Sequence, residues 1–188
     1  MHLKHLAAAL IAATSLSAFA QTYNIDPGHT FPNFEADHMG ISTFRGKFTK
    51  TSGTVALYRA AKTGTLDIAI DADSLDFGHA KLNGHAKGKD MFNVEQFPAI
   101  TYKGKSIRFN GDTPVAVEGD LTMLGVTKPV VLTISKFKCI MHPMLKREVC
   151  GADASGEFKR SDFGLNYGLP RFSPDVKLAI QVEAVRAD

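Results

Sequence analysis

The chain has 188 residues, with 22 Lys and Arg against 19 Asp and Glu, a net charge of +3, and 44% hydrophobic residues. That is enough chain for one ordinary domain with a sizeable core. The cations are scattered rather than interleaved with aromatics, so the sequence shows neither a nucleic-acid footprint nor a polybasic membrane patch.

The chain opens with "MHLKHLAAALIAATSLSAFA". Lys4 gives a positive start, Leu6 to Leu16 is apolar, and Ala18-Phe19-Ala20 is a small-x-small triplet. This is the layout of a secretory signal peptide, with cleavage expected after Ala20 and export to the periplasm. The apolar run is too short for a spanning helix, which needs ~20 residues. No later segment is long and apolar enough either, so no membrane span is expected, and residues 21–188 are read as a single domain.

Most of the chain after residue 20 alternates with period two, the strand signal. In "HTFPNFEADH" Pro32, Phe34, Ala36 and His38 share one side. "GTLDIAIDA" puts Leu66, Ile68 and Ile70 on one face. "HAKLNGHAKGKDMFNVEQ" reads as a weak helix over about 79–93, because Gly84 and Gly88 lower its propensity. In "VAVEGDL" Val115, Val117 and Leu121 oppose Glu118 and Asp120; in "PVVLTIS" Val130, Leu132 and Ile134 align. "VKLAIQVEA" alternates Val176, Leu178, Ile180, Val182 and Ala184 against Lys177, Gln181 and Glu183. Gly53, Gly64, Gly111, Gly125 and Gly156 are read as turns between runs.

"CIMHPMLKREVC" holds both cysteines, Cys139 and Cys150. In an exported protein a lone pair at this spacing is expected to form a disulfide closing a short loop, which typically stabilises by roughly 3 kcal/mol. The alternatives are a metal site using Met141, His142 and Met144, or a redox-active pair. A metal site needs more ligands than this segment supplies.

Short alternating strands with tight turns predict an antiparallel all-β fold. The chain has no Trp, so an immunoglobulin-type core is disfavoured. A sandwich and a closed barrel are both compatible; the lack of Trp favours the barrel, of about eight strands with one short helical segment and wide enough inside for one small ligand. Catalysis is not expected. There is no Gly-x-Ser-x-Gly elbow and no phosphate loop. His29 and His38 fall on opposite strand parity, and Asp37 and His38 point to opposite faces of a strand. His29 is read as a turn cap, His85 as solvated, and Arg160 with Asp162 as a local ion pair.

Five blocks in order carry a family resemblance: "YNIDPGHTFPNFEADHMGISTFRGKF", "HAKGKDMFNVEQFPAITY", "GDLTMLGVTKPVVL", "RSDFGLNYG" and "VKLAIQVEA". Together they resemble the YceI-like family of bacterial polyisoprenoid-binding proteins. Met91, Ala86, Pro32 and Leu124 depart from its pattern. The resemblance implies a lipocalin-like antiparallel barrel around an elongated apolar cavity that holds a long-chain isoprenoid lipid, isoprenoid quinone or fatty-acid-like molecule, with no catalytic constellation; no cofactor or metal is expected. A homodimer is compatible with it. The runner-up is a periplasmic partner of a membrane electron-transfer system, or a metal-handling protein. The candidate wall is Phe34, Phe44, Phe48, Leu66, Ile68, Ile70, Phe92, Phe97, Ile100, Phe109, Val117, Leu121 and Phe163. His38 and Arg45 are candidates for the head group, the latter because a guanidinium pairs with phosphate or carboxylate.

Overall fold

The computed structural model describes residues 20–187. The expected signal peptide lies almost wholly outside the described residues. Eleven strands occur in chain order: β1 Gln21–Ile25, β2 Phe31–His38, β3 Ser42–Phe48, β4 Thr51–Tyr58, β5 Thr63–Asp71, β6 Leu75–Asp76, β7 Ala99–Asn110, β8 Thr113–Met123, β9 Val126–Met141, β10 Glu148–Lys159 and β11 Asp175–Arg186. One helix, α1, spans Ala80–Lys87. None of the described helices is long and apolar enough to cross a membrane.

Eight strands close a ring in the order β1, β4, β5, β7, β8, β9, β10, β11 and back to β1. Every pairing is antiparallel, and the last, Tyr23↔Arg186 to Ile25↔Ala184, completes the barrel. β2 continues along β11 beyond the point where β1 leaves it, and carries β3 and β6. The barrel expected from the alternation is therefore the one formed.

The helix is shorter than the expected 79–93. It is capped at its start by the His79 side chain, which accepts from the Leu82 N–H at 3.1 Å, and it stops at Gly88. Residues 88–98 are a hydrogen-bonded loop instead. The two glycines act differently: Gly84 lies inside the helix and Gly88 ends it.

Three of the five expected turn glycines lie inside strands. Gly111 and Gly125 are in turns; Gly53, Gly64 and Gly156 are in β4, β5 and β10. They permit close approach between backbones rather than chain reversal. At Gly53, with φ +142°, a Cβ would run into the Asp67 carbonyl oxygen. Leu124 and Gly125 have φ +53° and +75° between the paired Met123 and Val126, the two-residue hairpin turn that matches strand twist.

Alternation also breaks at bulges. Arg108 pairs with Ala116 but Phe109 pairs with Pro114, so Val115 is an extra residue and its expected alignment with Val117 is lost. Another shift leaves Ser135 unpaired between Ile134 and Lys136 and moves the inward row of β9 from Ile134 to Phe137.

The corner between β1 and β2 is held by Asp26 and His29, with Nδ1 and Oδ2 2.8 Å apart. Hydrogen bonding to Asp26 raises the pKa of the His29 imidazole above its ordinary value, and the histidine holds the Asp26 carboxyl below its own. The two linkages have opposite sign. The His29 contribution is full below pH 6.5, its ordinary value, and is lost as pH rises through the raised value; the Asp26 contribution is present above pH 3.8 and is lost as pH falls through the lowered one. We therefore expect an NMR titration to place the His29 pKa above 6.5, and Asp26→Asn to bring it back down. A His29 titration identical in the parent and in Asp26→Asn would disprove the pairing in solution.

Candidate functional site

The barrel encloses a cavity of about 480 Å³. Its wall is built by the inward row of each strand, because successive side chains of a strand point to opposite faces. β5 contributes Leu66, Ile68 and Ile70; β7 contributes Ile100, Tyr102 and Ile107; β8 contributes Pro114, Val117, Leu121 and Met123. β9 adds Val130, Leu132, Ile134 and Phe137, and β11 adds Val176, Leu178, Ile180, Val182 and Ala184. Small residues Ala152 and Ala154 on β10 leave room in the middle. The Tyr102 hydroxyl reaches behind the wall and donates to the Val130 carbonyl at 2.8 Å. Thr51 Oγ1 is the one buried side-chain oxygen or nitrogen among the described residues without a partner, on a residue that also lines the cavity.

The two ends differ. At one, α1 and residues 164–173 meet over the cavity, with the His85 and Tyr167 rings 4.9 Å apart. His38 stacks flat on Phe44 at 4.1 Å, and Phe172 lies 5.4 Å from it. Asp37 ties the β2–β3 hairpin to the loop by accepting from the Ser173 N–H at 3.3 Å. Gly46 makes room for the Phe34 ring, since a Cβ there would come within 2.5 Å of it.

The loop over this end is organised by Arg160. The residue is 8% exposed, and its guanidinium donates to the carbonyls of Leu165 at 2.8 Å, Tyr167 at 2.9 Å and Ser173 at 3.2 Å. The expected ion pair with Asp162 is not formed. Five fixed N–H donors fit several loop carbonyls better than one carboxylate, and burial of the guanidinium is offset by those bonds.

A polar network closes the other end. The Tyr23 hydroxyl donates to Glu148 Oε1 at 2.7 Å, and Arg59 Nη2 donates to the same oxygen at 2.6 Å. Arg59 Nε donates to Gln21 at 2.6 Å, and Nη2 lies 3.1 Å from Cys139 Sγ. Burial, with help from the Glu148 hydrogen bond, pushes the Tyr23 phenol up. Cys139 and Cys150 face each other across β9 and β10 and are joined in a disulfide, so both sulfurs are committed.

Eleven expected site residues line the cavity: Phe34, His38, Phe44, Phe48, Leu66, Ile68, Ile70, Phe92, Ile100, Val117 and Leu121. Four do not. Arg45 lies on the outer face, 71% exposed, paired with Glu35 at 2.8 Å. Its parity opposes Phe44 and Phe48, a signal already visible in "FRGKF". Phe97 covers the β8–β9 turn, where a Cβ on Gly125 would come within 3.2 Å of its ring. Phe109 packs on the core opposite Pro114 near the end of β7. Phe163 is fully buried behind the wall against Phe158, at 5.3 Å, and Phe158 takes the lining position. The inward rows of β9 and β11 were readable from alternation but were not assigned to the site. Leu165, Tyr167 and Phe172 come from a loop with no periodic signal.

Residues 23–184 match the YceI-like domain. The chain belongs to the YceI-like family. Protein YceI of Salmonella arizonae is 32% identical over 176 residues, covering 92% of this chain and 91% of the relative. Among solved structures, the Campylobacter jejuni YCEI protein is 25% identical with a TM-score of 0.66, covering 80% of this chain and 90% of that one. BcnA of Burkholderia cenocepacia shares the fold at 23% identity, with a TM-score of 0.67 and coverage of 82% and 96%. So does a polyisoprenoid-binding domain from Saccharophagus degradans, at 16% identity, with a TM-score of 0.64 and coverage of 89% and 99%.

In this YceI-like barrel Arg160 should be the main tie of the loop at the helix end. Arg160→Ala removes the donor from one buried and two partly buried loop carbonyls and is expected to cost about 3 kcal/mol, read by urea unfolding. Amide exchange in residues 164–173 should accelerate as well. A variant with parental stability and parental exchange would show that the loop is held by something else.

Proposed function

We propose that this protein binds a long-chain amphiphile in the barrel and carries it in the periplasm, tail inside and head group at the helix end. The observation that supports this best is the cavity's composition. The middle is walled by aliphatic and aromatic side chains from all eight ring strands, while His38, Asp37 and His85 stand at one end. A hydrocarbon tail gains about 0.8 kcal/mol for each CH2 taken out of water, and most of the wall is apolar, with Thr51 among its few polar residues. The Saccharophagus degradans neighbour, a polyisoprenoid-binding domain with the same fold, supports an isoprenoid tail. The expected export signal at the N-terminus is consistent with the location.

His38 is the candidate head-group contact. Its ring is fixed on Phe44 and has no hydrogen bond among the described residues, so its nitrogens are available to a quinone, phosphate or carboxylate oxygen. A metal-handling reading loses its thiolate ligands, since both cysteines are in the disulfide.

Filling the cavity tests the proposal without burying a charge. Ala154 lines it from β10. Ala154→Phe should leave the protein folded while lowering affinity for quinone or polyprenyl phosphate at least about tenfold, since each displaced CH2 is worth ~0.8 kcal/mol. Lipid displacement and native mass spectrometry of protein isolated from its host read the effect. Unchanged binding in the filled variant would place the ligand elsewhere.

The helix end should respond to the same ligand. Residues 79–92 place Leu82 and His85, on the short helix, and Met91 and Phe92, in the loop after it, against the cavity. Their amide exchange is expected to be faster than that of the ring strands and to slow on lipid binding. Identical exchange with and without bound lipid would refute a covering role for this segment.

A further inference from the structure

The β9–β10 hairpin carries a feature that the cavity does not use. At its tip four large apolar side chains face solvent: Ile140 at 47%, Met141 at 68%, Met144 at 82% and Leu145 at 48% exposure. Exposed apolar side chains gathered at one protrusion mark an interaction site rather than chance. The tip is not a loose loop. His142 N–H donates to the Arg147 carbonyl at 2.8 Å, Lys146 N–H to the His142 carbonyl at 2.9 Å, and Leu145 N–H to His142 Nδ1 at 3.2 Å. The disulfide ties the strands directly beneath.

The tip and the end of β9 behind it carry an excess of cations. Residues 136–147 contain four Lys or Arg and no Asp or Glu. Lys136 and Lys138 lie on β9 behind the tip, and Lys146 and Arg147 lie in the tip loop itself. On the outer face of β9 the row from the tip inward reads Ile140, Lys138, Lys136. The nearest acids on the two strands are engaged, Glu148 by Arg59 and Asp153 by Lys136. Lys138 and Lys146 are exposed and in no ion pair among the described residues. The strand rise puts Lys138 about 7 Å behind Ile140, which matches the ~5–10 Å to which interfacial segments bury their apolar face below the headgroups.

We propose that the 140–147 hairpin tip docks on an anionic phospholipid surface, its apolar side chains entering the acyl boundary while Lys138 and Lys146 remain at the phosphates. A folded protein partner or a second copy of the chain would also cover apolar surface. A bilayer is favoured because the apolar tip and the cationic row are stacked along the direction of insertion rather than spread across a flat patch. The docking surface goes beyond the carrier reading and does not depend on it.

The test is co-sedimentation of the full-length mature protein with phosphatidylglycerol–phosphatidylethanolamine vesicles and with phosphatidylcholine vesicles. The parent should partition to the anionic vesicles and be released by salt. Met144→Glu, at the most exposed tip residue, should weaken partitioning about tenfold, and Lys138→Glu with Lys146→Glu by a similar factor. Val131→Glu, exposed on the barrel wall opposite Glu118, should bind like the parent. Failure of the parent to partition, equal partitioning to both vesicle types, or parental behaviour of Met144→Glu overturns the proposal. A parent that is dimeric by light scattering and becomes monomeric in Met144→Glu, without vesicle binding, overturns it in favour of a second copy. Lipid displacement in vesicle-free solution is measured on the same variants. Lost vesicle binding with intact displacement isolates the hairpin, and vesicle binding with no displacement leaves the hairpin standing while the carrier reading falls.

Discussion

Everything in this molecule depends on the closure of the sheet between β1 and β11. Only three residue pairs make that seam, from Tyr23↔Arg186 to Ile25↔Ala184, but without them β1 and the end of β11 beyond β2 would be bare and the sheet would have no inside. An open edge presents unpaired N–H and C=O groups to any other strand. Closure satisfies them and turns the inward row of each ring strand toward a common axis. The cavity results from this geometry, with strand number setting how much space is left. Because β2 prolongs the same contact along β11 from Gln181 to Val176, the seam also places Phe34, Ala36 and His38 at the helix end of the cavity.

The ends of the tube are finished by different physics. The helix end is covered by elements with few strand hydrogen bonds, held by one buried guanidinium and by ring contacts. The opposite end is sealed by Tyr23, Glu148 and Arg59, with a disulfide immediately alongside. A charged cluster with short hydrogen bonds and a covalent cross-link resists opening. Stacked rings and loop carbonyls give way more readily, since local opening depends on the number of buried apolar contacts and ladder bonds to be lost. This asymmetry makes the helix end the easier of the two to open.

Period-two patterning carried much of the architecture into plain view, because a strand with one buried face has no freedom to place its apolar residues elsewhere. Leu66, Ile68 and Ile70, and equally Val176 to Ala184, stand where the alternation put them. The family blocks and the cysteine pair were also legible. Arg45 was legible too, since its parity with respect to Phe44 and Phe48 already assigned it to the outer face.

Other features were settled only by the fold. A bulge changes the face of every residue beyond it, and its position depends on the partner strand's register, so Val115 and Phe137 could not be assigned from β8 or β9 alone. Phe163 and Phe158 are equally apolar, and which one lies behind the wall is a matter of packing around the turn at Arg160–Phe163. Arg160 found loop carbonyls instead of Asp162 because its partners meet it only when residues 164–173 fold back. Lys138 beside "CIMHPMLKREVC" looks ordinary in sequence and comes to stand behind an exposed apolar tip only when the hairpin forms. By itself the sequence determined which residues alternate, which cysteines can pair and which family the chain resembles, because these are local or pairwise properties of the chain. Closure, bulge position and the meeting of loops at the two ends are long-range, and only the tertiary structure decided them.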